Sequence, residues 1–314
     1  MIKILTVIGA RPQFVKAAAI SSEFIKSHSD RIHEVLVHTG QHYDANMSEV
    51  FFSELSIPEV SYNLNVGSGS HGVQTSGVIA GLEEVMIKED PDGIILYGDT
   101  NSTLGGAIAA SKLQIPIIHI EAGLRSFTKN VPEEINRVVC DHLSTLLFTP
   151  TEQGARNLEQ EGINLANVPP FSIDNPKVYQ CGDVMYDISL KYRDIANAHS
   201  KILEELSLDT GSYVLATIHR QNNTDDPKKL LNILDSINEL SAEKNIEVIL
   251  PLHPRTKRVL EDTLGDKDEY IQRFESIKFI SPVSYIDMIQ LESGSKMIIT
   301  DSGGVQKEAY FFEK

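Results

Sequence analysis

The chain has 314 residues, 41% hydrophobic and 23% charged, which is enough apolar material for two folded cores and too much for a disordered protein. Its formal net charge of -16 is spread along the sequence with no block of Lys or Arg, which excludes nucleic acid and membrane as partners while leaving a small anionic ligand open. Two cysteines, Cys140 and Cys181, cannot build a disulfide framework or a zinc site, and no apolar run suits a signal sequence or a bilayer span, so a cytoplasmic location is expected.

Short apolar runs alternate with amphipathic stretches almost from end to end, the pattern of βαβ units and a parallel sheet covered on both faces. In the first half, strands are expected at 2–8, 34–39, 93–97, 115–120, 146–149 and 178–181, with helices between them. The first strand runs into Gly9-Ala10-Arg11-Pro12-Gln13, and Pro12 suits the first turn of a helix that carries Lys16. Backbone amides there, with Arg11 and Lys16, would hold phosphate oxygens; an ordinary turn with solvated cations is the bland alternative.

Gly67, Gly69 and Gly72 spell GxGxxG, but they follow the polar stretch SYNLN instead of a buried strand, so a glycine loop before a helix is expected there and not a dinucleotide site. Asp99 ends GIILYGD and Glu121 ends IPIIHIE. On neighbouring strands their carboxylates would stand about 5 Å apart, or about 10 Å with one strand between, on the ligand-binding edge of the sheet. Asp99 could instead be a helix N-cap, whereas Ala122 to Arg125 does not read as a helix opening. Pro132-Glu133-Glu134 opens the next helix, where acids complement the macrodipole without any chemistry. Glu133, Asn136 and Arg137 nevertheless share a face by their spacing, and Glu134 lies off it as the structural acid. The Pro-rich stretch 167–176 reads as a surface loop within the first domain.

A long polar helix is expected at 183–206, after which strands restart at 213–218, 247–252, 278–280 and 296–300. That restart places a first Rossmann-like domain at 1–190 and a second at 191–314, each with its ligand crevice at the carboxyl ends of its strands. A shared ligand would lie where those ends face each other. The strands run into His219-Arg220 and His253-Pro254-Arg255; His219 is the candidate, while His253 orients a turn. Thr300 to Glu308 forms a strand end, a glycine pair and a helix start. Ser302 with the amides of Gly303 and Gly304 would cradle phosphate, and Glu308 would accept from ribose hydroxyls unless it is simply an exposed helical acid. The chain stops soon after this helix, short of the further βα units such a domain has, so a second domain truncated at its C-terminus is expected.

In order along the chain, GARPQFVKAA, TGQHYDANM, YGDTNSTL, HIEAGLRS, PEEINR, TIHR and TDSGGVQKEA resemble the non-hydrolysing UDP-N-acetylglucosamine 2-epimerase family. The resemblance spans essentially the whole chain. It implies the two-domain architecture of glycosyltransferase type B enzymes, a homodimer, a UDP-sugar substrate, and no cofactor or metal. It matches Arg11, Lys16, Asp99, Glu121, Glu133, His219, Ser302, Gly304 and Glu308 to the family's active-site positions. Asn222 stands where the family usually has Glu. The implied chemistry expels UDP from C1, removes the acidified C2 proton to leave a 2-acetamidoglucal, and adds UDP back with protonation from the opposite face. Two faces need two proton-transfer groups, for which Asp99, Glu121 and Glu133 are the pool. The segments ANMSEVFF, SFTKNVPEEINR and PVSYIDMI are similar to surface-polysaccharide members, some of which act on UDP-2,3-diacetamido-2,3-dideoxyglucuronate. A hydrolysing 2-epimerase, a glycosyltransferase and an inactive UDP-binding module are the alternatives.

Overall fold

The computed structural model describes residues 1–40 and 58–314, without the side chains of Arg11 and Gln221. Most of TGQHYDANM and all of ANMSEVFF fall outside the described residues. The chain divides into two compact units, Met1–Ile188 and Ser189–Lys314.

In the first unit, strands β1 (Ile2–Ile8), β2 (Ile32–His38), β3 (Tyr62–Asn63), β4 (Gly93–Tyr97), β5 (Ile117–Ile120), β6 (Leu146–Thr149) and β7 (Lys177–Gln180) form one sheet. Their order is β3-β2-β1-β4-β5-β6-β7 and every pairing is parallel. The winding reverses between β1 and β4, and at such a switch point the loops above the strand ends part to leave a crevice. Helices α1 (Arg11–Ser27), α2 (His71–Glu89), α3 (Asn101–Lys112), α4 (Pro132–Leu143) and α5 (Glu152–Gln160) alternate with the strands, and α6 (Val184–His199) runs from the first unit into the second. Leu5, Val7, Ile94 and Leu96 turn one sheet face onto Val78 and Leu82 of α2, and their alternation is what makes a two-sided buried sheet out of near-continuous apolar runs. On the other face, Ile4, Ile95, Ile118 and Phe148 border a largely apolar cavity of about 500 Å³.

The second unit has a four-stranded parallel sheet of β8 (Tyr213–Thr217), β9 (Glu247–Pro251), β10 (Ile277–Ile280) and β11 (Met297–Thr300), in the order β10-β9-β8-β11. Its helices are α7 (Ile202–Leu206), α8 (Gln221–Thr224), α9 (Pro227–Lys244), α10 (Pro254–Leu264), α11 (Lys267–Arg273), α12 (Tyr285–Gly294) and α13 (Gly303–Phe311). Val214 and Ala216 face Leu230 and Leu234 of α9, while Tyr213 and Leu215 face Ile202 and Leu291 on the opposite side. Both units are therefore α/β with parallel sheets, as the alternation predicts.

The expectations at 183–206 and before the glycine loop are corrected. The single helix at 183–206 is broken into α6 and α7, because Ser200 turns its hydroxyl to Asp287 Oδ1 at 2.6 Å and accepts from the amide of Ile202 at 3.3 Å. The stretch SYNLN, read as strandless, supplies the two-residue edge strand β3 beside Val37 and His38. Gly67 and Gly69 precede Ser70, the N-cap of α2, and Gly72 lies in its first turn. Among the described residues no helix is long and apolar enough to cross a membrane.

Candidate active site

Strands β4 and β5 are direct neighbours, with Tyr97 opposite Ile120. One step further along, Gly98 is level with Glu121, and Asp99 stands one residue beyond both. Gly98 adopts a left-handed backbone at φ +62°, and a Cβ built on it would meet Lys16 Nζ at 3.3 Å and Glu121 Oε2 at 3.4 Å. The absent side chain thus leaves room for an ion pair between Lys16, from the first turns of α1, and Glu121. Both partners are nearly buried, with side-chain exposures of 8% and 10%. Glu121 itself lies at φ +75°, a conformation that costs a non-glycine residue roughly 1–2 kcal/mol. The amides of Glu121 and Ala122 both donate to the Phe148 carbonyl at 3.0 Å, which holds the turn open at the strand end.

Asp99 has a different cation. Arg137 of α4 donates to Asp99 Oδ2 at 2.5 Å, and its neighbour Asn136 donates to the Asp99 carbonyl at 2.8 Å. The N-cap of α3 is Thr100, whose hydroxyl accepts from the Thr103 amide, so the alternative reading of Asp99 as the cap is set aside. Arg137 also donates to Glu134 at 2.9 Å. Glu134 is buried and accepts from the amides of Ser126 and Phe127 at 2.9 and 2.8 Å, which makes it the acid that ties down the loop before α4. Burial alone would raise its pKa, but those amides and Arg137 hold it below the usual glutamate value. Glu133 is exposed, and its side chain makes no hydrogen bond or ion pair among the described residues. Glu133, Asn136 and Arg137 lie within α4 at the spacing of one helix face, and the last two converge on Asp99.

A buried polar layer that the motifs did not reveal lies beneath these acids. Gln13 accepts from the amides of Gly9 and Ala10 at 2.9 and 3.1 Å and donates to the Tyr97 carbonyl at 2.9 Å, joining the β1 and β4 turns. Two amides of the turn before α1, those of Gly9 and Ala10, are therefore engaged with Gln13. His119 and Asp141 are fully buried and bonded at 2.7 Å, and Arg125 joins Asp141 at 2.7 Å. Arg125 in turn pairs with Glu161 at 2.6 Å. Burial disfavours charge on His119, yet neighbouring Cys140 and Asp141 lift its pKa well above the ordinary value. Burial would likewise raise Asp141, but His119 and Arg125 hold it below the usual carboxylate range.

In the second unit, β8 and β11 pair with Thr217 opposite Thr300, which places His219 and Ser302 on adjoining strand ends. Between them Asp301 accepts from the amides of His219 and Arg220 at 3.1 and 3.0 Å and from Asn223 at 2.9 Å, with His219 Nδ1 at 3.4 Å. Burial opposes its charge, but Asn223 and these amides keep its pKa below the usual aspartate value. Ser302 is the N-cap of α13 and accepts from the Val305 amide at 3.4 Å. Gly303 and Gly304 are exposed, and the nearest atom to a Cβ on Gly303 is Arg220 Nη2 at 3.8 Å. This leaves helix-start amides, a hydroxyl and a guanidinium around open space, a suitable setting for an anion. Glu308 is 7% exposed, and Tyr285 Oη donates to it at 3.4 Å, so the alternative of an exposed helical acid is corrected. His253 caps α10, as expected of a turn residue.

The site residues expected from the sequence therefore gather by unit. Lys16, Asp99, Glu121 and Arg137 meet at the carboxyl edge of the first sheet, and His219, Ser302, Gly303 and Gly304 at that of the second, with Glu308 a turn along α13. The Arg11 side chain lies outside the described atoms. The family model described as UDP-N-acetylglucosamine 2-epimerase matches residues 25–314. A UDP-N-acetylglucosamine 2-epimerase homolog of Methanococcus maripaludis is 50% identical over 313 residues, covering 99% of this chain and 82% of the relative. The UDP-2,3-diacetamido-2,3-dideoxy-D-glucuronate 2-epimerase of Pseudomonas aeruginosa is 46% identical, covering 99% and 81%. The crystal structure of the Methanocaldococcus jannaschii UDP-GlcNAc 2-epimerase with UDP-GlcNAc and UDP superposes with a TM-score of 0.83 at 39% identity, covering 99% of this chain and 82% of that one. With a family model matching residues 25–314 and relatives 46% and 50% identical over nearly the whole chain, the chain belongs to the UDP-N-acetylglucosamine 2-epimerase family.

Proposed function

We propose that the protein inverts carbon 2 of a UDP-linked N-acetylhexosamine, interconverting UDP-N-acetylglucosamine and UDP-N-acetylmannosamine. The observation that carries this reading is the pair of carboxylates at neighbouring strand ends, each beside its own cation: Glu121 with Lys16 and Asp99 with Arg137. A C2 hydrogen next to an acetamido group is too weakly acidic for direct removal. If the C1–oxygen bond breaks first, its electron pair leaves with UDP and C1 becomes cation-like. The C2–H electrons then form the C1=C2 bond of a 2-acetamidoglucal as a carboxylate takes the proton. Return of UDP to C1, with a proton delivered to the other face of C2, completes the inversion. Asp99 and Glu121 are the proton-transfer groups of this reading, with Glu133 as the third acid of the pool.

His219, Arg220, Ser302 and the amides of Gly303 and Gly304 take the leaving diphosphate, whose developing charge such donors stabilise. Arg11 is assigned to the same anion, and Glu308 to the ribose hydroxyls. Incubation with UDP-N-acetylglucosamine, followed by proton NMR at C2, should show both epimers accumulating as nucleotide sugars. Build-up of UDP and free N-acetylmannosamine would contradict the reading in favour of hydrolysis.

The relative at 46% identity favours a second substrate, UDP-2,3-diacetamido-2,3-dideoxyglucuronate, handled by the same elimination and addition. Turnover of this sugar alone in a parallel incubation would select it. The reading extends to a cytoplasmic homodimer, for which light scattering should give twice the chain mass.

A further inference from the structure

Glu121 owes its unfavourable backbone to a short segment that is fastened on both sides of it. Two residues before it, His119 Nδ1 donates to Asp141 Oδ1 at 2.7 Å. Two residues after it, the Gly123 amide donates to Asp141 Oδ2 at 3.0 Å. One carboxylate on α4 therefore holds both flanks of the left-handed residue. The remaining ring nitrogen of His119 reaches the Gly98 carbonyl at 2.8 Å, and Gly98 is the residue level with Glu121, over which the ion pair with Lys16 lies. A carbonyl can only accept, so Nε2 carries a proton, and an ionised Asp141 receives the Nδ1 proton. The ring is thus an imidazolium locked in orientation from both ends, with Arg125 completing the set on Asp141.

We propose that Asp141 and His119 are positioning residues that clamp the His119–Gly123 turn against the end of β4 and so aim the Glu121 carboxylate. Neither touches the reacting atoms. Buried charges of this kind are a poor source of stability compared with apolar packing, which fits a role in fixing geometry. The inference rests on the reading that Glu121 transfers the C2 proton.

The test compares Asp141→Asn, His119→Gln, Glu161→Gln and Glu121→Gln in the intact protein, with kcat and KM measured separately for C2 inversion. Asp141→Asn and His119→Gln should lower kcat on the order of 10- to 100-fold with KM little changed, as loss of an orienting partner does. Glu161→Gln, which alters the same charge network on its far side, should stay near the wild-type rate. Because the clamp acts through Glu121, adding Asp141→Asn to Glu121→Gln should cause no further loss. Wild-type turnover by Asp141→Asn or His119→Gln beside an inactive Glu121→Gln would overturn the clamp alone. Wild-type turnover by Glu121→Gln would overturn the proton-transfer reading and the clamp with it. If the variants do not fold, nitrogen-15 histidine NMR on the unaltered protein at about pH 8, well above the ordinary histidine pKa, decides. His119 should retain both ring protons, and a ring nitrogen without one would overturn the proposal.

Discussion

Asp301 gathers the amides of His219 and Arg220 and the side chain of Asn223 onto one carboxylate, which fixes the turn that presents His219 beside the α13 start. In Asp301→Asn one acceptor becomes a donor facing backbone amides, and the turn loosens. UDP affinity should fall about tenfold, or about 1.4 kcal/mol; unchanged affinity by calorimetry would contradict this. The His119 and Asp141 pair makes a second prediction, about pH. Folding raises the His119 pKa, so its stabilisation is full below about 6.5 and is lost progressively as pH rises from there to the folded value. Folding lowers that of Asp141, whose contribution is full above about 3.9 and is lost as pH falls. Urea unfolding should therefore show stability declining on the alkaline side, and His119→Gln should flatten that decline. An identical alkaline slope in the variant would contradict it. Asp99, Glu121 and Ser302 were legible in the sequence because they follow apolar runs directly. Gln13, His119, Asp141 and Asp301 were not, since their meaning lies in partners up to 90 residues away.

Among the elements, the strands were the most legible, because runs such as GIILY are buried at every position and end in polar turns. Helix interruptions were less so: the break between α6 and α7 depends on Asp287, a residue of α12 that no local pattern brings to Ser200. The two-residue β3 exists only by pairing with β2 and carries no apolar run of its own. Close packing between elements yields a further prediction at the turn after β5. Gly123 is at φ +77°, and a Cβ there would lie 2.4 Å from the Gly154 carbonyl oxygen at the start of α5. The obstacle is backbone and cannot rotate away. Gly123→Ala should therefore destabilise the protein by roughly 1–3 kcal/mol and disturb Glu121 two residues earlier. An unchanged thermal midpoint with full activity would contradict this.

For the whole molecule, the net charge of -16 works against an anionic substrate, so attraction must come from local groups. Among the described side chains, the first unit's site cations Lys16 and Arg137 pair with Glu121 and Asp99, at an edge suited to moving protons. The second unit presents helix-start amides and Arg220, suited to a diphosphate. The Rossmann-like alternation announced both sheets, and motif order announced the reaction class. Choice between UDP-N-acetylglucosamine and its diacetamido glucuronate counterpart was not legible, because it turns on side chains that meet the sugar, and sequence spacing does not rank them.

The most direct measurement is exchange at C2 in deuterium oxide, followed by proton NMR and mass spectrometry on both epimers. Proton removal by a carboxylate predicts that inversion is accompanied by deuterium at C2, and that Glu121→Gln lowers both exchange and inversion by about a thousandfold or more, roughly 4 kcal/mol in the barrier. Inversion with the original C2 proton retained would contradict the account.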